Sequence, residues 1–394
     1  MMALIPWSGA TDWTDGVTET LEWQTSILQS PTGAEQRIAR RLTPRRTFEL
    51  TTVAAGAERR AFENWLARAG SMVWAMPVWP DVVPLPADYA AGASTIHIPT
   101  AGRDFTAGDD VLLLTQPGWL AVSEVRTLSA VSPDSLSFTV PLSQNWQAGA
   151  LVYPLRPAVL TDPPGLTRRG ALMLAQVRFR LVSGNTNAAA QPDTLYRGWP
   201  VIEHAPDFSE DLSAEYQRLV MELDNRVGIP HRNDTAGRPF LAMQHTWSVS
   251  GRAEQQALRA LFYSLRGRQR AVWIAGDPGD LLPVSGLNAG YIDVRYCALS
   301  DSAVAGELPG RQDVVITLAD GRHLYRRVLR AVRLNSTTER LTLDGVGDAV
   351  PLSELASVSW LTLSRLNDDA VTWQHVTDAD GLATVSVIFR GVTA

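Results

Sequence analysis

The residue types able to do chemistry are present but dispersed. Six histidines, His97, His204, His231, His245, His323 and His375, are spread over the chain. No two fall at a spacing that would place both on one helix face toward a metal. Asp378-Ala379-Asp380-Gly381 begins like a calcium loop but lacks the acidic ligand required downstream, so a tight turn before the last strand is the expectation. Gly276-Asp277-Pro278-Gly279-Asp280 reads as turn chemistry, and Asp109-Asp110 and Asp368-Asp369 as strand ends. Paired carboxylates could hydrolyse a glycosidic bond, but nothing in their spacing selects a pair. There is no Gly-x-Ser-x-Gly elbow and no dinucleotide glycine fingerprint. No catalytic, cofactor-binding or metal-ligating residue is therefore assigned, and an enzyme is not expected.

Other counts narrow the chemistry further. All 35 Lys+Arg residues are arginine, which excludes a phosphate-loop lysine and a Schiff-base lysine. Arginine favours forked contacts to carboxylates, a habit of interfaces, although codon bias of a GC-rich genome is the plainer cause. Cys297 is the single cysteine, so no internal disulfide or four-cysteine zinc site can form. Its apolar neighbourhood predicts a buried, inert thiol. Thirteen tryptophans permit a sugar-binding face, with Trp119 and Trp146 as candidates, yet core packing explains most of them better. A net charge of −6 offers no basic footprint for nucleic acid. The start, Met1 to Trp7, has no basic region or long apolar stretch, and no run is long enough to span a bilayer. Synthesis in the cytoplasm, without membrane insertion, is expected.

The elements that would position these residues repeat. Residues 57–69 (AERRAFENWLARA) and 253–266 (AEQQALRALFYSLR) are amphipathic helices. Ala61, Phe62, Trp65, Leu66 and Ala69 share one face of the first; Ala257, Leu258, Leu261, Phe262 and Leu265 share one face of the second. Gly70 and Gly267 follow as stops. Strands of period two flank each helix: TFELTT (47–52) with Phe48 and Leu50 inward, and TWSVSG (246–251) with Trp247 and Val249 inward. After the helices, Val73-Trp74-Ala75 corresponds to Val272-Trp273-Ile274 and Asp81 to Asp280. Upstream, Leu21-Glu22-Trp23 matches Met221-Glu222-Leu223 more weakly. The halves close with AQVRFRLV (175–182) and TVSVIFRGV (384–392). Between helix and closing strand, each half carries short strands punctuated by turns, which suggests a small barrel.

The chain is thus expected to be mainly β and internally duplicated. The first repeat covers 1–184 with an inserted barrel at about 86–156. A linker follows at 185–198. The second repeat covers 199–394 with an inserted barrel at about 285–366.

The run Gly70-Ser71-Met72-Val73-Trp74-Ala75-Met76-Pro77-Val78-Trp79-Pro80-Asp81, at the centre of Arg59–Leu85, resembles a pattern in siphophage tail proteins of the distal-tail and baseplate-hub type. There a helix ending in Gly precedes an aromatic-rich strand, a Pro/Trp turn and an Asp. The copy at Ala271–Asp280 keeps Trp273, Pro278 and Asp280 but has Gly in place of Trp79. The resemblance implies two tandem tail-tube-like β-sandwich domains, each with one packed helix, and no catalytic residues or cofactors. It also implies a virion protein of the tail tip that forms a homo-oligomer, a trimer with pseudo-sixfold symmetry or a hexameric distal-tail ring. Its partners would be the tail tube protein and other baseplate or fibre proteins. A glycan-binding module and a cell-wall hydrolase are the readings from other classes.

Overall fold

The computed structural model describes residues 4–182, 187–204, 206–207, 212–303, 310–345, 347, 349–378 and 381–393. The chain is mainly β, as its alternating hydrophobic pattern requires. Long strands build one antiparallel sheet to which both halves contribute.

In the first half the sheet holds β1 (Val17–Gln29), β2 (Glu35–Ala55), β3 (Trp74–Pro77), β4 (Leu151–Leu160), β5 (Gly165–Arg169) and β6 (Leu172–Leu181), with α1 (Gly56–Ala69) following β2. The second half holds β7 (Ala214–Gln217), a separate hairpin of β8 (Val220–Leu223) and β9 (His231–Asp234), then β10 (Phe240–Ser250), α2 (Arg252–Leu265), β11 (Val272–Ala275), β12 (Leu355–Leu366), β13 (Ala370–His375) and β14 (Leu382–Gly391).

The pairings of the halves agree residue by residue. Leu172 to Arg180 of β6 face Ala55 to Thr47 of β2; Leu382 to Arg390 of β14 face Ser250 to Ala242 of β10. Ala158 of β4 faces Leu181 and Ser364 of β12 faces Gly391. Trp74 of β3 faces Ala158, and Val272 of β11 faces Ser364.

Those registers correct two of the sequence correspondences. The strands 47–52 and 246–251 are offset by four residues from true register, since Phe48 occupies the place of Met243 and Leu50 that of His245. An even slip keeps the same side chains inward, and Phe48, Leu50, Trp247 and Val249 are all buried. The match of Trp74 with Trp273 is off by one, and an odd slip exchanges the faces of a strand. Trp74 packs beneath α1 with Trp7 and Phe179. Val272 is its counterpart beneath α2, and Trp273 points to the opposite face among Val201, Leu361 and Leu363, donating to Tyr196 O at 2.8 Å. The weak match upstream fails as well: Leu21 and Trp23 are buried, whereas Val220–Leu223 lies in the separate hairpin and is exposed on both faces.

The helices start and stop as expected, with different caps. Glu254 reaches back to the Ser250 amide (3.1 Å), and α2 ends on Arg266 and Gly267 with φ of 56° and 64°. A Cβ on Gly267 would also fall 2.4 Å from Asp369 Oδ1, so both conformation and space demand glycine. Gly70 ends α1 while keeping helical angles (φ −57°, ψ −28°). Ala257, expected on the buried face, is exposed; Gln255 is buried instead and donates to Gly381 O (2.9 Å).

Each half carries a block of antiparallel strands that, among the described residues, does not close into a barrel. In the first, Asp110–Leu114, Ser123–Ser132, Ser135–Phe138 and Thr95–Ile96 pair in succession around Leu113, Leu128, Leu136 and Trp146. In the second, Tyr291–Arg295, Thr338–Leu343, His323–Arg333 and Asp313–Leu318 do so around Ile292, Val314 and Leu341. Only isolated bridges, Leu281 to Val358 and Pro283 to Val294, approach closure of the second.

Candidate functional site: the joint between the halves

Among the described residues the arrangement with the densest chemistry is the seam between the two halves. It begins with one long hairpin. β1 carries Val17, Leu21 and Trp23 inward, and its outer edge pairs with β13, from Val17–His375 to Glu22–Ala370. A strand of the first half thus extends the sheet of the second. Leu21 and Trp23 sit in the second-half core with Trp247, Phe262 and Trp373.

Glu19 lies at the centre of this seam and is fully buried. Arg259 of α2 grips both its oxygens, at 2.7 Å each. Arg46 of β2 donates to Oε1 (2.5 Å), and His375 Nε2 lies 2.9 Å from Oε2. Burial works to raise the Glu19 pKa, but Arg259 and Arg46 outweigh it and hold the carboxyl well below its ordinary range. Burial pushes His375 down although Glu19 pulls the other way. The network continues outward: Arg46 pairs with Asp104, which Arg156 also grips (2.6 Å). Asp81 accepts from Arg252 of α2 (2.7 Å) and from the Asp104 amide (2.9 Å).

A second cluster pins the outer part of the hairpin. Asp369 accepts from Thr25 N (2.7 Å), Thr25 Oγ1 (2.8 Å) and Arg268 N (2.9 Å). Arg365 forks onto both oxygens of Glu35, at 2.8 Å each. The Arg365–Glu35 pair is buried and bidentate, and it resists being parted because either partner alone would be left charged in an apolar interior.

Most of the residues singled out by sequence lie apart from this seam. His97, His204 and His231 are exposed, and His375 alone joins the Glu19 network. His204, His245 and His323 do line one cavity of about 220 Å³ with Glu203 and Tyr325, a convergence invisible in their spacing. Among the described residues no group of three or more His, Cys, Asp or Glu is placed to hold a metal. Asp109 pairs with Arg156 (2.5 Å) and Asp110 accepts from Thr127 Oγ1 (2.6 Å). Gly276–Asp280 is a turn, with Asp280 N donating to Asp277 O (3.0 Å). Gly381 N donates to Asp378 O (3.1 Å), as a tight turn should; Ala379 and Asp380 lie outside the described residues.

One expectation is overturned, and the rival glycan-binding reading loses its two named candidates. Cys297 is exposed, because it sits in a loop whose amides, at Cys297, Leu299 and Ser300, turn toward Glu339. Trp119 and Trp146 are buried and cannot stack on a sugar. Trp119 packs beneath α1, and Trp146 donates to Glu124 Oε2 (2.7 Å). Ten tryptophans are buried and three half-buried, as core packing requires of most of them.

His245 provides a pH test. It is buried against Trp247 and Phe389, and burial pushes its pKa down to about 4. An unfolded chain would protonate it near its ordinary value of 6.5, so the folded state binds fewer protons. The stability it contributes is complete above pH ~6.5 and is lost as pH falls toward 4, by about 3 kcal/mol in all. We expect His245→Leu, which places there the residue found at the corresponding Leu50, to unfold at a less pH-dependent urea midpoint between pH 7 and 4.5. Parallel curves for the two proteins would show that His245 is not the group responsible.

No family model and no curated protein matches the chain. A comparison with solved structures pairs it with a phage phi92 endosialidase at 12% identity and a TM-score of 0.19, covering 98% of this chain and 59% of that one. The chain therefore spans about three-fifths of that protein's length. So low a score does not establish a common fold. No helix among the described residues is long and apolar enough to cross a membrane.

Proposed function

We propose that this chain is a structural protein of a phage tail tip or baseplate, and that three copies close a ring in which six half-chains surround a channel. The ring would join the tail tube to the central tip proteins or fibres. The observation that carries this reading is the lateral fusion of two halves with the same strand registers into one sheet, through β1 on β13. Two equivalent units joined edge to edge, with a stiff ionic seam, are two sectors of a ring. Open sheet edges that would otherwise invite aggregation are then satisfied by neighbours. The resemblance of Gly70–Asp81 to siphophage tail proteins supplies the context. The twofold content of each chain favours three copies over a hexamer, in which the second half would decorate the first.

Mass photometry and negative-stain electron microscopy of the purified protein test this. Rings of three chains with six similar lobes are the expected result. A strictly monomeric protein at high concentration would overturn it.

A further inference from the structure

The hairpin that clasps the two halves has a counterpart whose tip, among the described residues, is seated on nothing in this chain. Beyond the sheet, β1 and β2 continue as an arm in which Thr25 faces Ala39 and Leu28 faces Gln36. In the second half, β8 and β9 form the same arm, with Val220 facing Asp234 and Leu223 facing His231. The registers of the strands leading into them agree as well, Glu22 facing Arg45 and Gln217 facing Phe240. Residues 29–35 and 224–230 form the two tips, equal in length and alike in holding glycine at the fifth place, Gly33 and Gly228.

The first tip is seated. A Cβ on Gly33 would fall 2.2 Å from Phe240 Cζ, Pro31 O accepts from Thr235 Oγ1 (2.6 Å), and Glu35 is gripped by Arg365. The second tip is bare. Val227 and Ile229 are 89% and 97% exposed, and Met221 and Leu223 on the same arm are exposed too. A Cβ on Gly228 would meet nothing within 4 Å, so the close packing that requires glycine at Gly33 is missing around its counterpart.

Among the described residues the seat that register assigns to the second tip is equally bare. Phe240 and Arg390, beside the first tip, correspond to Arg45 and Arg180 of the first half. Those two, with Arg41, Pro44, Leu181 and Val182, line an open groove of about 390 Å³. The neighbouring edge is open as well. β5 sits on β6 (Leu166 facing Ala175) as β13 sits on β14 (Trp373 facing Val385), yet β13 carries β1 on its outer side, and β5 pairs only with β6 among the described residues. β7 likewise pairs only with β10.

We propose that the arm of one copy (residues 214–235) docks on the first half of a second copy. β7 runs along β5, and the 224–230 tip fills the Arg41/Arg45/Arg180 groove. Inside the chain the same joint already exists as β1 on β13, so the contact repeats a geometry this fold demonstrably accepts. The occupant's chemistry suits the groove in part: Asp224 at the tip offers a carboxylate to three guanidinium groups and the exposed Val227 and Ile229 offer apolar contact, while Glu222 is already paired with Arg232 (2.9 Å). Pro163 and Pro164 have no N–H to donate, so the ladder is confined to the β5 residues and the arm supplies the rest of the contact. The contact is head to tail, and it closes a ring when the rotation from copy to copy repeats that between the halves.

This inference rests on the ring reading, and the experiment separates the two. In a Cys297→Ser background, Leu166→Cys with Ala214→Cys places two thiols opposite each other in the expected register. Oxidation should give linked dimers and a closed trimer on a denaturing gel, while neither single cysteine forms the trimer. Independently, Val227→Asp with Ile229→Asp should leave the melting temperature of the isolated chain unchanged and weaken association at least tenfold. Rings that form without the cross-link and tolerate both aspartates would overturn the docking site and leave the ring reading standing. A wild-type chain that remains monomeric would overturn both.

Discussion

Glu19→Gln is expected to destabilise the protein by about 3–5 kcal/mol, the cost of removing one member of a buried ion cluster and leaving the others charged. The substitution preserves shape and removes only the charge that Arg46, Arg259 and His375 converge upon. Because Glu19 comes from the first half and Arg259 from the second, the loss falls on the joint. Limited proteolysis should therefore cut within residues 17–41 sooner than in the wild type, and urea unfolding should begin earlier. The sign with pH agrees. The Glu19 pKa is depressed in the folded state, so its contribution is present above the ordinary carboxylate range and is lost as pH falls through the folded value. A double-mutant cycle with Arg259→Gln should show strong coupling. A change of less than 1 kcal/mol in the Glu19→Gln protein would mean that the seam is held by its ladder and apolar core alone.

Trp119→Ala carries the second large effect, about 3–5 kcal/mol, because it empties a volume that nothing nearby can refill. The ring lies 4.7 Å from Trp7, 5.0 Å from Phe62 and 6.3 Å from Trp74, centroid to centroid, beneath α1. Its backbone is held as well, since Glu58 of α1 accepts the Trp119 amide at 2.5 Å. The same carboxylate accepts from the Leu120 amide (3.2 Å), so the Trp119–Leu120 turn ties the inserted block of the first half to the helix. The same variant discriminates between functional readings. A sugar platform would lose glycan binding and keep its stability, whereas a core residue loses stability. Retention of the wild-type melting temperature by Trp119→Ala, together with loss of glycan binding, would revive the recognition reading.

Much of the architecture was legible because it is written in local periodicity. Alternation marked Val177-Phe179-Leu181 and Val385-Val387-Phe389 as inward-facing, and all but the strand-end residue Leu181 (8%) and Val387 (7%) are nearly inaccessible. The apolar stripe placed Phe62 and Leu258 under their helices. Register between repeats was not legible to one residue. Aromatic identity drew Trp74 to Trp273, but residue type is a weaker constraint than the face a strand presents, and the hydrogen-bonded ladder settled on Val272. The seam was invisible for a different reason. Glu19, Arg259 and His375 are separated by more than a hundred residues each, and a buried carboxylate on an alternating strand looks like any solvent-facing one until the strand beside it is known.

What the sequence by itself determined was the mainly β class, the two helices and the kinship of the two halves, since these follow from periodicities of two and 3.6 residues and from their recurrence. The tertiary structure alone decided which edges meet. Strand pairing is a contact between distant segments whose N–H and C=O groups are the same in every residue, so composition does not choose the partner. Here β1 lies on β13 and not on another strand because Leu21 and Trp23 find the second core and Glu19 finds Arg259. That one choice joins the halves, and among the described residues the outer edges of β5 and β7 carry no partner strand.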